Sequence, residues 1–293
     1  MRRTITAVIA LCALAASVSA LPAPIAFYSA DSSLRLLRDS VSGRTAPVPA
    51  SASIVAGGPQ GSYIALKRQD DGVVSLGRIF GFQGDFSIAF TMKTPTGYQD
   101  RGAMLLGRHQ AGSYNGYWFM VNSEWGYGAP NKLTFYYSNA TVISTSDVND
   151  GRWHAVAVSY SVNSGVELYI DGRLEAKGPP NPIQVPNVDF LIGTISWPQP
   201  QGTVTFDLSG LALFDRTISG SDAAYIAANP QWYVGQGWSQ GWGQQPQQTG
   251  QGFFGNQNQQ GGQEVSRPST MRIVLKNGQV LSIPTSEILR IEF

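Results

Sequence analysis

Two histidines, His109 and His154, and a scatter of carboxylates are the residues here best suited to moving protons or holding metal. Neither histidine sits in a His/Cys/Asp cluster with the spacing of a zinc site. The glycines punctuate strand-like runs instead of opening a helix, so no phosphate cradle is expected. Among the acids, Glu167 and Asp171 have the even spacing that lets two side chains share a strand face, as paired hydrolytic carboxylates must. Asp171, however, precedes Gly172 in a dipeptide that favours a tight hairpin, where its side chain is expected to bond local backbone. Glu124 and Glu175 have no partner at useful spacing. The acids read as structural, and the chain is not expected to be an enzyme.

Aromatic residues are the second kind of candidate. Tyr114, Tyr117, Trp118, Trp125, Tyr127, Tyr136, Tyr137 and Trp197 are densely placed. Trp and Tyr offer an apolar ring with a polar edge, which suits both core packing and ligand contact. Trp118 and Phe135 are expected to point inward from strands, and Trp153 opens a strand expected to be core. Trp125 and Tyr127 differ, because Asn122–Pro130 is a Gly/Pro-rich loop in which rings are hard to bury. They are the leading binding candidates, followed by Trp197 in Ser196-Trp197-Pro198.

The elements that must position these residues are short strands. Asn149-Asp150-Gly151 opens a reversal, since Asn, Asp and Gly tolerate left-handed backbone. In the strand that follows, His154, Val156, Val158 and Tyr160 share one face, and Trp153, Ala155, Ala157 and Ser159 the other. Val166, Leu168 and Ile170 then alternate with Glu167 and Tyr169 up to the Asp171-Gly172 turn. These are neighbouring antiparallel strands of a β-sandwich.

That segment resembles the core signature of laminin G-like domains, the concanavalin A-like jelly roll also found in pentraxins. The signature is Trp153-His154-x-Val156-x-Val158 followed by Leu168-Tyr169-Ile170-Asp171-Gly172. Asp39-Ser40, Gly57–Ile64, Asp85–Met92, Leu191–Thr194 and Leu208–Ser219 resemble the family's other strands in order, over residues 24 to 229. The resemblance implies an all-β antiparallel jelly-roll sandwich that acts by binding. Related glucanases carry Glu-x-Asp-x-x-Glu on one strand, and this chain has no such triplet. Pentraxins bind calcium through an Asp-Asn pair and a later Glu-Gln-Asp run. Here those places hold Tyr114-Asn115 and Thr194-Ile195-Ser196-Trp197. Tyr114 and Asn115 thereby join the candidate ligand residues. No cofactor is expected; a weaker calcium site using Asp100, Asn115 or Asp147 is possible but not favoured.

Composition limits the partners. Net charge is +1 and charged residues are 13% of the 293, which gives no support to nucleic-acid or electrostatic membrane binding. Met1–Ala20 has a basic start, a short apolar stretch and Val18-Ser19-Ala20, the pattern of a cleaved signal peptide. The lone Cys12 falls within it, so the mature chain is expected to lack disulfides. The product is expected to be secreted, or periplasmic in a bacterium; Asn139 is a glycosylation acceptor only in a eukaryote. After a short helix over 221–228, capped by Ser219, residues 235–264 are Gly- and Gln-rich and are expected to form a disordered linker. Residues 270–293 read as a small β module around Asn277-Gly278, able to self-associate. Carbohydrate binding is the leading expectation, extracellular adhesion through protein partners the alternative, and a glycoside hydrolase of the same fold the third reading.

Overall fold

The computed structural model describes residues 21–70, 72–82, 84–98, 102–110, 112–113, 115–122, 129–194, 204–233, 270–274 and 280–284. The chain divides into two units, 1–243 and 244–293. The first begins with β1 (Ala26–Asp31), β2 (Leu36–Asp39), β3 (Thr45–Pro47), β4 (Ser53–Gly58), β5 (Gly61–Leu66) and β6 (Val74–Ser75). It continues with β7 (Phe86–Lys93), β8 (Ala103–His109), β9 (Gly116–Val121), β10 (Lys132–Tyr137) and β11 (Ala140–Asp147). Then come β12 (His154–Ser161), β13 (Gly165–Ile170), β14 (Arg173–Gly178), β15 (Leu191–Ile192), β16 (Phe206–Phe214) and helix α1 (Gly220–Ala228). In the second unit β17 (Thr270–Val274) pairs antiparallel with β18 (Val280–Pro284). The Asn277-Gly278 turn and residues 285–293 of that module lie outside the described residues.

Two antiparallel sheets form the sandwich. The larger has the order β14-β13-β12-β7-β16-β1-β2-β3, with β5 also on β16 and β4 on β5; the smaller is β11-β10-β9-β8-β15-β6. Strict alternation makes this work. Phe86, Ile88, Phe90 and Met92 of β7 enter the space between the sheets, as do Val156, Val158 and Tyr160 of β12. From the smaller sheet, Tyr117, Phe119 and Val121 meet them with Leu133, Phe135 and Tyr137. Both strands predicted around the signature are present and paired, Val156 opposite Ile170 and Val158 opposite Leu168.

The opposite face of the larger sheet carries small residues, Ala89, Ala157 and Ala212, which leave room for α1. Ala223 and Ile226 of the helix pack there with Phe27, Tyr169 and Phe214. Ser219 caps the helix as expected and forms a reciprocal capping box with Asp222. Asn229 ends it, its backbone N–H bonding the Tyr225 carbonyl. Packing continues to Trp232 and Tyr233, the latter stacked on Phe27 at 4.3 Å. At the Asp171-Gly172 turn both residues have positive φ, 50° and 76°. A Cβ on Gly172 would lie 2.7 Å from the Ala224 Cα, so glycine serves both the turn and the seating of the helix.

Two ring assignments are corrected. Trp118 does not point inward with Phe135: pairing puts it opposite Tyr136, while Phe119 faces Phe135. The β9 sequence GYWFMV is apolar at every side-chain position, so alternation alone does not say which face is the core. Trp153 is half-buried, not core, because its face of β12 is the one opposite Val156 and Val158.

Candidate functional site

The proton-moving residues are taken up by structure. His154 is 3% exposed and bridges two carboxylates, Nδ1 to Asp171 at 2.9 Å and Nε2 to Asp150 at 3.1 Å. Burial opposes its charge, but the bonds from the two aspartates outweigh it and hold the ring above its ordinary pKa. Asp150 is lowered to about 2: burial works against this, and the Arg152 and His154 hydrogen bonds prevail. Asp171 also accepts the Ala155 backbone N–H at 2.9 Å. Its role is therefore structural as expected, but it reaches across to β12 rather than bonding its own turn. Glu167, the proposed partner carboxylate, instead accepts from Tyr169 and Lys177. Glu175 accepts backbone and hydroxyl bonds from Thr145 and Ser146. Among the described residues no three His, Cys, Asp or Glu side chains gather as a metal site.

Different chemistry lies on the outer face of the smaller sheet. Pairing of β8 with β9 and of β9 with β10 sets His109, Trp118 and Tyr136 side by side. The Trp118 ring is 3.9 Å from His109 and 3.7 Å from Tyr136, the latter nearly parallel at 26°. Trp118 thus packs against a ring from each neighbouring strand. Met120 and Met104 extend the row along the sheet. Gly107 makes the approach possible, since a Cβ there would come within 2.5 Å of the Trp118 backbone.

This layer is buried, yet its polar groups are not all satisfied. His109 is 4% exposed, Trp118 7% and Thr134 0%. His109 Nδ1, Trp118 Nε1 and Thr134 Oγ1 have no hydrogen-bond partner. Buried polar atoms are nearly always paired, and each orphan costs roughly 1–3 kcal/mol. Only one other such atom occurs among the described residues, Gln60 Oε1. Three orphans on one face mark it as the place with unused bonding capacity.

Two other places are more fully occupied. On the larger sheet's outer face Trp153 meets Tyr63 edge-on at 5.1 Å, with the Lys93 ammonium 4.9 Å from the Trp153 ring. That ammonium is already paired with Asp207 at 2.8 Å. A cleft of about 420 Å³ lies beside Tyr28, Asp39, Arg44 and Phe80. Asp39 there is engaged by the Phe27 and Val41 amides and the Ser42 hydroxyl.

Of the sequence candidates, Trp125, Tyr127, Trp197 and Tyr114 lie outside the described residues, as does Asp100. Asn115 is described, half-buried in the turn between β8 and β9, its backbone N–H donating to Ser113 Oγ. The turn adjoins His109, which is paired with Gly116, so Asn115 sits at one end of the row. Asp147, considered for calcium, is paired with Lys132 at 2.6 Å. The row itself was missed. The signal available was Trp118 and Tyr136 alternating with Tyr117 and Tyr137, a sequence in which two faces of equal apolarity cannot be told apart.

Residues 60–224 match a laminin G family of the concanavalin A-like lectin/glucanases superfamily, and the chain belongs to that family. No curated protein sequence matches it. Solved structures share the fold at low identity. The binding domain of Paraclostridial Mosquitocidal Protein 1 superposes with a TM-score of 0.56 at 13% identity, over 70% of this chain and 52% of that one. Domain 4 of AbnA, a GH43 extracellular arabinanase from Geobacillus stearothermophilus solved with arabinotriose, gives 0.53 at 17%, over 70% and 98%. The botulinum neurotoxin serotype D ligand binding domain, solved with N-acetylneuraminic acid, gives 0.52 at 13%, over 70% and 50%. This chain thus spans about half of each toxin domain and nearly all of the arabinanase domain.

Proposed function

We propose that this chain is a secreted, non-catalytic binding protein whose sandwich recognises carbohydrate. The observation that carries this reading is the match of residues 60–224 to the concanavalin A-like lectin/glucanases superfamily on a complete two-sheet sandwich. The arabinanase domain and the neurotoxin domain, each solved with a sugar, support the class. Engagement of His154, Asp171, Glu167 and Glu175 in structural bonds supports binding over hydrolysis. Residues 235–264 then serve as a spacer and 270–293 as an association module.

The test is a glycan array probed with the full chain, with and without a calcium chelator. Trp125→Ala and Trp197→Ala, at the leading candidates from the sequence, should weaken the positive signals. Undiminished binding by both variants would move the site away from these residues. Wild-type protein that captures no glycan would end the proposal.

A further inference from the structure

The cleft beside Tyr28 encloses about 420 Å³, a volume within the range of small-ligand sites. Its walls come from four places far apart in sequence: Ile25 where the chain enters β1, Ser42 and Arg44 between β2 and β3, Phe80 and Phe82 between β6 and β7, and Asp215 directly after β16. Ser42, Arg44, Gly81 and Asp215 are exposed, Ile25 is 39% exposed, and Phe80 and Phe82 are half-buried, so the lining is open to solvent. Phe80 has a φ of 63°, a region that bulky side chains avoid. Its backbone is held on both sides, Arg108 donating to the Ile79 carbonyl at 2.8 Å and the Tyr117 hydroxyl to the Phe80 carbonyl at 3.4 Å. The Phe80 ring meets Tyr28 and Phe190 edge-on. Strain of this kind persists only where the surroundings enforce it, and it is concentrated at ligand-binding sites.

Some of the polar groups in this cleft are committed to the fold and others are not. Asp39 accepts the Phe27 and Val41 amides and the Ser42 hydroxyl. Asp215 Oδ1 takes both bonds from Arg216, at 2.9 Å each, which leaves Oδ2 without a partner among the described residues. The Arg44 guanidinium has no ion pair or hydrogen bond among the described residues, and the Tyr28 hydroxyl has no hydrogen bond among them either. Burial, with Asp39 adding to it and Arg44 opposing it, pushes the Tyr28 hydroxyl up to about 12, so it keeps its proton and can donate. An accessible donor at Arg44 and an accessible acceptor at Asp215 therefore share one opening with the apolar wall of Ile25, Phe80 and Phe82.

Resting on the glycan reading, we propose that this cleft is a subsite for one neutral sugar residue, its hydroxyls accepting from Arg44 and donating to Asp215. A sugar hydroxyl is donor and acceptor together, so it can serve either group, and the planar guanidinium fork can serve two hydroxyls at once. The C–H groups of the sugar ring cover Ile25, Phe80 and Phe82, as apolar ring surface does in small-molecule sites. Charge in the lining selects the class. An anion drawn to Arg44 meets the Asp39 and Asp215 carboxylates, and an ammonium drawn to those carboxylates meets Arg44. A neutral polyol meets neither conflict.

The experiment titrates the full-length protein by NMR, following the Ile25 methyl and the Arg44 side-chain N–H. Methyl glycosides of galactose, glucose and mannose are the neutral probes. Galacturonate, glucuronate, galactosamine and glucosamine carry the same rings with a negative or positive charge. At least one neutral probe should move both signals, and its charged counterparts should bind roughly fivefold or more weakly, the scale of one like-charge contact near a surface. Arg44→Ala and Asp215→Ala remove exposed side chains whose only partner in the fold is Arg216, so both variants should melt as the wild type does. Each should weaken the neutral sugar about tenfold, the loss of one hydrogen bond to a charged group. A positive glycan array with both signals unmoved by every probe and by the array's best glycan, and with both variants unimpaired, would overturn the cleft while leaving glycan binding intact. Equal or tighter binding of a uronate or an amino sugar would overturn the neutral class. Silent signals together with a blank array would remove the parent proposal and this inference with it.

Discussion

Replacing Thr134 by Val isolates the central physical claim, that the outer layer of the smaller sheet carries unmet hydrogen-bonding capacity. The residue is fully buried in β10, opposite Met120 on one side and Ile143 on the other. Val has the same branched shape and the same stiffness at χ1, so neither packing nor strand preference should suffer. What changes is a hydroxyl for a methyl. A hydroxyl with a partner would lose about 0.5–1.5 kcal/mol on removal, whereas an orphan relieves a desolvation cost of roughly 1–3 kcal/mol. The orphaned state of Oγ1 therefore predicts a gain, the reverse of what most core substitutions do. For a domain of this size each kilocalorie is worth about 2–4 °C, so Tm should rise by roughly 2–12 °C. Urea unfolding of wild type and variant, read by intrinsic fluorescence, gives the free energy; equal slopes confirm that the same surface unfolds. Loss of about 1 kcal/mol or more would show that the hydroxyl has a partner and would sink the reasoning about this face. A more stable variant is the expected outcome.

Stability should also follow the state of the His154 bridge. The aspartates, held low, contribute above their unfolded pKa of about 4 and lose that contribution as pH falls through their folded values; His154, held high, contributes below about 6.5 and loses it as pH rises through its folded value. Urea midpoints should therefore peak between those limits, and His154→Gln should flatten the decline on the alkaline side. Gly172→Ala combines a φ of 76° with contact at the Ala224 Cα, and should cost roughly 1–3 kcal/mol in thermal unfolding. A chain ending at Asn229 should melt several degrees below one ending at Tyr233, since it strips Trp232 and Tyr233 from Phe27; equal melts would mean those rings contribute nothing. If 270–293 mediates association, light scattering should show a larger particle for the full chain than for one ending at Gln263.

The sandwich was legible because its defining strands advertise both period and ends. Val156, Val158 and Tyr160 alternate with smaller or polar residues, and turn-forming Asn-Asp-Gly and Asp-Gly pairs mark where the chain reverses. Ser219 likewise marked the helix start, because an N-cap is a local device. The aromatic row was illegible for the opposite reason. GYWFMV and KLTFYY are apolar or aromatic at nearly every position, so nothing local tells Trp118 from Phe119. Strand pairing makes that choice, and pairing is a property of the assembled sheet. The His109 tautomer is hidden in the same way: it depends on a carbonyl presented by the turn at Ser113. Glu175 looked solitary because its partners, Thr145 and Ser146, are distant in sequence and reach it only after folding.

The two outer faces of this sandwich differ in how their polar groups are satisfied. On the larger sheet Ala89, Ala157 and Ala212 admit a helix from the same chain, and the polar groups beneath it are paired. Ser87 Oγ donates to the Arg216 carbonyl and accepts from the Ile218 amide, and Ser159 Oγ shares that amide. The family signature belongs to this economy: His154 and Asp171 join β12 to the turn after β13, which explains a Trp-His and Asp-Gly pattern without any ligand. On the smaller sheet large rings and methionines replace the alanines, and donors and acceptors are left unmatched at a cost the core must offset. A face that served only packing could shed that cost by single conservative changes such as Thr134→Val. Replacing Thr134 by Val should therefore stabilise the chain while leaving the core between the sheets untouched.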